Sequence, residues 1–182
     1  MAPLFAALLV SAGWSQAADV SEYTAGNSAL KLAKRSDGGA DGYFATFIGK
    51  LRLSGKLVIE FDRLESDTSS NRDTEGAAFF VPDAQGRADL PRAVGAFYPK
   101  EVSTIGLDKR PAELLPHVVG AQKTKAILRG TKPRYELPAT LTIKSFSAWV
   151  ECDHRGYSAE VLSIERVQAT VVALSKPQFL GC

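Results

Sequence analysis

Apolar and polar residues alternate along several stretches of this chain, and this pattern predicts a β-rich fold. The strictest alternation runs from Leu51 to Phe61, where apolar residues or glycine occupy the odd positions and mostly polar residues lie between them. A period of two residues is typical of a strand with one buried face. Gly49 and Gly55 mark positions where so long a strand is expected to bend or bulge.

Two β-rich runs nearer the C-terminus predict the hairpin around which the rest of the chain is organised. The first run extends from Thr140 to Cys152 and the second from Tyr157 to Val167, with Asp153–Gly156 between them. A short polar connection that contains glycine is typical of a hairpin turn. The apolar positions of the first run change parity after Ile143, which predicts a β-bulge near Lys144 and Ser145.

A helical period replaces this alternation between residues 111 and 129. Apolar residues recur there at helical spacing: Leu114, Leu115, Val118, Val119, Ile127 and Leu128. Pro111 suits a first helical turn, Gly120 suits a C-terminal end, and Asp108 is predicted to cap the helix. We therefore predict a helical hairpin or a kinked helix that packs its apolar stripe against the sheet. Further strands are predicted at Ala77–Val81, Ala96–Leu107 and Gln168–Leu174.

The order of these elements is strand, long loop, strand, strand, helix, strand, turn, strand. Between Tyr43 and Val167 this order resembles that of an OB-fold, which implies a small antiparallel barrel with a helical segment between strands three and four. A β-sandwich and an open α+β sheet are the alternatives. The predicted organisation is a polar segment over 18–42, a single β-rich domain over 43–174 and a C-terminal tail over 175–182.

The N-terminal residues indicate the compartment. An apolar run from Met1 to Val10 is followed by Ser15-Gln16-Ala17, with small residues at the positions that a signal peptidase reads. The start of this segment contains no lysine or arginine, which is unusual for a signal peptide. We predict a signal peptide over 1–17 and a periplasmic or secreted protein, with no membrane span in the mature chain.

The chain contains two cysteines, Cys152 and Cys182, and an oxidising compartment would let them form a disulfide bond. The alternative is a reactive Cys152 assisted by His154 and Asp153 in a small thiol- or acid/base-dependent hydrolase. Two cysteines and two histidines without ligand spacing do not predict a zinc site. Motifs for other metals or for cofactors are also absent from the sequence, so no cofactor is predicted.

Predicted export, small size and the absence of a catalytic motif from the sequence favour a binding module over an enzyme. The net charge is only +2 and the basic residues are scattered, which is unlike a nucleic-acid-binding protein. In small barrels of this kind the loops after strands one and four contact ligands. The predicted contact residues lie in those loops: Arg63, Glu65, Asp67, Arg72, Asp153, His154 and Arg155. The predicted partner is a protein or a cell-envelope component; a purely structural envelope protein is a further alternative.

The predicted disulfide bond leads to the first test. Thiol titration of the unreduced protein is expected to find no free thiol, and reduction to lower the free energy of unfolding by about 3 kcal/mol, because the bond closes a loop of about 30 residues. Denaturant unfolding with and without reductant measures this difference, and a Cys152→Ser, Cys182→Ser chain should not respond to reductant. Rapid alkylation of Cys152 in the unreduced protein would contradict the bond and favour thiol chemistry.

Overall fold

The computed structural model describes seven parts of the chain: residues 22–24, 28–37, 43–61, 76–94, 102–151, 154–167 and 171–174. Within them the protein is mainly β and forms a closed, mixed, five-stranded barrel with extra strands and three helices. This confirms the predicted small barrel. The predicted signal peptide over 1–17, the tail over 175–182 and both cysteines lie outside the described residues.

The elements are numbered in chain order. The described strands are β1 (Glu22–Thr24), β2 (Lys31–Asp37), β3 (Tyr43–Glu60), β4 (Ala77–Pro82), β5 (Arg92–Val94), β6 (Ile105–Leu107), β7 (Arg134–Glu151), β8 (His154–Arg166) and β9 (Val172–Leu174). The helices are α1 (Ala84–Asp89), α2 (Pro111–Val119) and α3 (Ala121–Arg129). Strands β1 and β5 form a separate two-stranded sheet, and the other seven strands form the main sheet.

The barrel closes in the order β3, β4, β6, β8, β7 and back to β3. Every pairing in this circuit is antiparallel except that of β6 with β8. Helices α2 and α3 lie between the third and fourth barrel strands, as the OB-fold resemblance implied. Strand β2 extends the sheet from β3, and β9 pairs with the start of β7. The main sheet therefore begins at residue 31, upstream of the predicted domain.

The barrel interior is filled by the apolar positions of the alternating pattern. Leu53, Leu57 and Ile59 of β3 are fully buried, and the rings of Phe47 and Phe146 lie 6.4 Å apart between their centroids. Burial of such side chains contributes about 1.5–3 kcal/mol each to folding. Alternation along the same strands leaves polar residues on the outer face of the barrel.

Bulges occur in the long strands at Gly49 and near Lys144, as predicted, whereas Gly55 is in regular register with its neighbours in β4 and β7. Ile48 pairs with Ser145 and Leu51 pairs with Ile143, so two residues of β3 lie opposite one residue of β7. Gly49, with φ of 145°, is one of these two residues, in a backbone region that favours glycine. Lys144 is the extra residue of β7 relative to β8, which confirms the bulge predicted from the parity change.

The predicted helical segment forms, but its capping residue differs from the prediction. Gly120 separates α2 from α3, and their buried side chains include Leu114, Leu115, Val118 and Ile127. Arg110 is the N-cap of α2, so the prediction of Asp108 is wrong. The Asp108 carboxylate instead accepts a hydrogen bond of 2.8 Å from the Val161 amide and so continues the pairing of β6 with β8.

The hairpin turn is tighter than predicted. His154, Arg155 and Gly156 belong to β8 and pair with Glu151, Val150 and Trp149 of β7, so a turn over 153–156 is wrong. Pairing with β7 thus extends β8 through residues whose own β propensity is not high, which is why local composition suggested a turn there. Of the strand predicted over Ala96–Leu107, residues 105–107 form the third barrel strand, and residues 96–101 lie outside the described residues.

A buried arginine joins the ends of β3 and β7. The side chain of Arg134 is 4% exposed and forms ion pairs with Glu60 and, at 2.7 Å, with Glu136. Lys56 also contacts Glu136, at 3.2 Å. The hydrogen bonds from Arg134 are the main cause of a lowered pKa at Glu136, which keeps that carboxylate ionised beside the arginine. Breaking such a buried pair leaves an uncompensated charge.

Close contact between β3 and β4 predicts that Gly55 does not tolerate a side chain. A Cβ at Gly55 would lie 2.2 Å from the Val81 carbonyl oxygen, whereas a Cβ at Gly106 would have its nearest neighbour at 3.6 Å. We expect Gly55→Ala to lower the free energy of unfolding by about 1–3 kcal/mol, because backbone must move, and Gly106→Ala to change it little. Denaturant unfolding measures both; equal effects would contradict the close approach.

Candidate functional site

Most of the seven predicted contact residues fall in parts of the chain that the structure does not describe. Arg63, Glu65, Asp67, Arg72 and Asp153 lie outside the described residues, as does Cys152. His154 and Arg155 lie in β8, where only their backbone is described.

The register of β3 and β7 separates the two predicted loops. Glu60, which precedes the segment 62–75, pairs with Arg134, while Val150, which precedes the connection at 152–153, pairs with Tyr43. These two pairs are at opposite ends of one ladder.

An open groove of about 250 Å³ lies on the outer face of the barrel where β6, β7 and β8 meet. The residues that line it include one glycine, Gly106, and five polar residues: Asp108, Ser145, Ser147, Ser158 and Glu160. Alternation explains why these side chains face outward. Phe146 and Ala148, which flank Ser147 in sequence, are buried, and so is Ala159, which lies between Ser158 and Glu160. The same two-residue alternation that directs apolar side chains into the core therefore directs these polar side chains to the groove.

A row of hydroxyl groups crosses the sheet at the groove. Thr46 of β3 pairs with Ser147 of β7, and Ser147 pairs with Ser158 of β8. The hydroxyl oxygens of Thr46 and Ser147 are 3.2 Å apart and share a hydrogen bond. Ser158 in turn pairs with Gly106 of β6, whose missing side chain leaves the end of the row open. Hydroxyl groups both donate and accept, so the row can bind either kind of ligand group.

Two carboxylates line the groove beside this row. The Asp108 side chain is held by the Val161 amide, at 2.8 Å. Glu160 pairs with Lys144 at 3.3 Å, and hydrogen bonds from Lys144 and from Ser145 lower the pKa of Glu160. Glu160 is therefore ionised at neutral pH and presents an acceptor to a ligand.

Two aromatic residues, Phe44 of β3 and Trp149 of β7, are paired next to the hydroxyl row on the same face. Trp149 is two residues beyond Ser147 on β7, a distance of about 7 Å along a strand, and pairs with Phe44 and with Gly156. The indole ring lies over Gly156, since a Cβ there would be 1.8 Å from it. The ammonium group of Lys34 is 5.0 Å from the centroid of the Phe44 ring. Hydroxyl, carboxylate and aromatic groups thus occupy adjacent positions of one surface.

Sequence reasoning did not identify this surface, although part of its signal was present. Ser145 and Ser147 occupy the polar positions of a run whose apolar residues were recognised, so their outward direction followed from the alternation. The parallel pairing of β6 with β8, which adds Gly106 and Asp108, has no local signal because β6 has only three residues.

Comparison of the chain with protein-family models, with curated proteins and with solved structures found no match. Among the described residues, no helix has the length and apolar character needed to cross a membrane. In the same part of the chain, no three acidic, histidine or cysteine side chains cluster in a way that could hold a metal ion. The geometry of the groove is accordingly the basis for a proposal about function.

The position of Trp149 over Gly156 can be tested by fluorescence. In a Trp14→Phe chain Trp149 is the only tryptophan. We expect Gly156→Ala in that chain to displace the indole from the sheet, because the new Cβ would overlap it, and so to shift the emission to longer wavelength and increase acrylamide quenching. Gly106→Ala is the matched control. An unchanged emission spectrum and unchanged quenching in the Gly156→Ala chain would contradict this contact.

Proposed function

We propose that this chain is a non-enzymatic binding module of the periplasm or the extracellular space, which recognises a protein or a cell-envelope component across the outer face of its barrel. The observation that carries this proposal is the hydroxyl- and carboxylate-lined groove at β6, β7 and β8. It lies on the face between the two ends of the β3–β7 ladder. The predicted contact loops follow those ends, so they remain part of the proposed surface.

The lining groups suit recognition better than catalysis. A serine becomes a nucleophile when a general base is within hydrogen-bonding distance. Among the described residues that line the groove there is no histidine, lysine or cysteine, and Ser147 shares its hydrogen bond with Thr46. Asp108 is engaged by a backbone amide and Glu160 by Lys144. These groups are oriented by the sheet and offer fixed hydrogen-bonding directions to a ligand.

Among envelope components, the chemistry of the groove favours a neutral, polyhydroxylated ligand such as a glycan. Sugar hydroxyl groups donate to carboxylates such as those of Asp108 and Glu160 and exchange hydrogen bonds with serine hydroxyls. The aromatic face of Trp149 offers an apolar surface next to them. Phosphate groups, by contrast, favour a positive groove. Small barrels of this architecture include oligosaccharide binders, which supports the proposal by analogy of fold alone.

Fluorescence titration of the Trp14→Phe chain with soluble neutral envelope polysaccharide tests this proposal, with Trp149 as the reporter. We expect saturable binding. Ser158→Phe should weaken it about tenfold or more, because the ring occupies the groove and removes a hydroxyl. Ser163→Phe is the matched control, since Ser163 is an exposed serine of the same strand outside the groove lining.

Two results would count against the proposal. Equal loss of binding in the Ser158→Phe and Ser163→Phe chains would remove the groove from the interaction. If the native chain binds neither the polysaccharide nor any component of an envelope extract at low salt, the binding module itself is wrong.

A further inference from the structure

Within the described parts of the chain, strand β2 is paired along one edge only, and its side chains contribute little to the core. In the described sheet it is the last strand on its side and pairs only with β3. The side chains of its first five residues, from Lys31 to Arg35, are all exposed. Strands β3, β7 and β8 alternate between buried and more exposed side chains, but the first five residues of β2 do not.

Main-chain pairing and one anchor keep β2 in place. Leu30, directly before the strand, is fully buried. From Lys34 to Asp37 the strand is in regular register with Thr46 to Tyr43, beyond a bulge between Leu32 and Lys34. A strand at the edge of a sheet directs part of its backbone N–H and C=O groups away from its neighbour, where they can pair with another chain.

The charge of β2 determines which chain can pair with it. Lys31, Lys34 and Arg35 make this segment basic, with Asp37 as an acid at its far end. Parallel, in-register pairing with a second copy of β2 would bring cations opposite cations, which is destabilising between paired strands. An acidic strand would instead place carboxylates opposite these cations, and such complementarity selects a partner and speeds its association. Leu32, which is 46% exposed, adds an apolar contact on the strand itself.

We propose that β2 is a docking edge for an acidic, extended segment of a partner protein, which adds to the main sheet as a further strand. This mode of recognition uses main-chain hydrogen bonds for affinity and side-chain charge for specificity. The cations that oppose pairing between two copies of this chain are the same groups that attract the partner. The inference uses a different strand from those that line the groove, since β3 lies between β2 and the groove strand β7.

The test uses a labelled seven-residue peptide of alternating glutamate and valine, titrated with the full chain in an anisotropy assay. We expect binding at low salt that weakens severalfold when the salt concentration is raised to about 0.3 M. Hydrogen exchange should slow at the backbone amides of residues 31–36 when the peptide is bound. A peptide of equal charge in which two valines are replaced by proline should bind at least tenfold more weakly, because proline cannot complete the ladder.

Charge reversal separates the docking edge from general electrostatics. Lys31→Glu, Lys34→Glu should weaken binding of the acidic peptide about tenfold, since two exposed ion pairs contribute a few-fold each. The same chain should gain affinity for a peptide of alternating lysine and valine. The control is Lys123→Glu, Lys125→Glu, which makes the same change in net charge on the exposed side of α3 and should leave binding unchanged.

Three outcomes would overturn the proposal: no binding of the acidic peptide at low salt, equal binding of the proline-containing peptide, or equal loss of binding in the α3 control. Unfolding measurements on both charge-reversed chains establish that they are folded. The groove variant Ser158→Phe should lose polysaccharide binding but still bind the peptide. Failure of one proposal is therefore distinguishable from failure of the other.

Discussion

The ladder between β3 and β7 is the interaction on which the rest of the molecule depends. It runs from Tyr43 paired with Val150 to Glu60 paired with Arg134, and it closes the barrel. Strand β3 also pairs with β2 along its first part and with β4 along its last part. Strand β7 occupies one edge of β3, while β2 and then β4 occupy successive parts of the other edge, and the bulge that includes Gly49 lies between those two parts.

Closure of the barrel also determines where polar groups can be offered to a partner. Because apolar side chains fill the interior, the alternate residues of the same strands must face outward. On β7 these outward residues are Ser145, Ser147 and Trp149, and the register places them beside hydroxyl, carboxylate and aromatic groups of β3 and β8. The groove is thus not a separate addition to the fold. It is the outer side of the core-forming pattern.

Whether the sequence predicted a feature depends on how far apart along the chain the interacting residues are. Local period and parity predicted β3, the hairpin strands, the bulge at Lys144 and the two-helix segment, because each depends on neighbours within a few residues. Helix α1 has only six residues and β6 only three, too short for a periodic signal. The role of Asp108 depends on Val161, which is 53 positions away, so its local appearance as a helix cap was misleading.

The outer face has a charge gradient that bears on how two partners could bind at once. Paired residues lead from Lys34 on β2 through Thr46, Ser147 and Ser158 to Gly106 on β6, next to the acidic Asp108. Four strand spacings separate the two ends, which is about 19 Å along the sheet. That separation exceeds the Debye length of about 8 Å at physiological salt, so charges at the basic edge and in the acidic groove are screened from each other. An acidic strand at β2 and a neutral glycan in the groove would therefore bind without direct electrostatic interference. Coupling between them would have to pass through movement of the β3–β7 ladder, which barrel closure opposes.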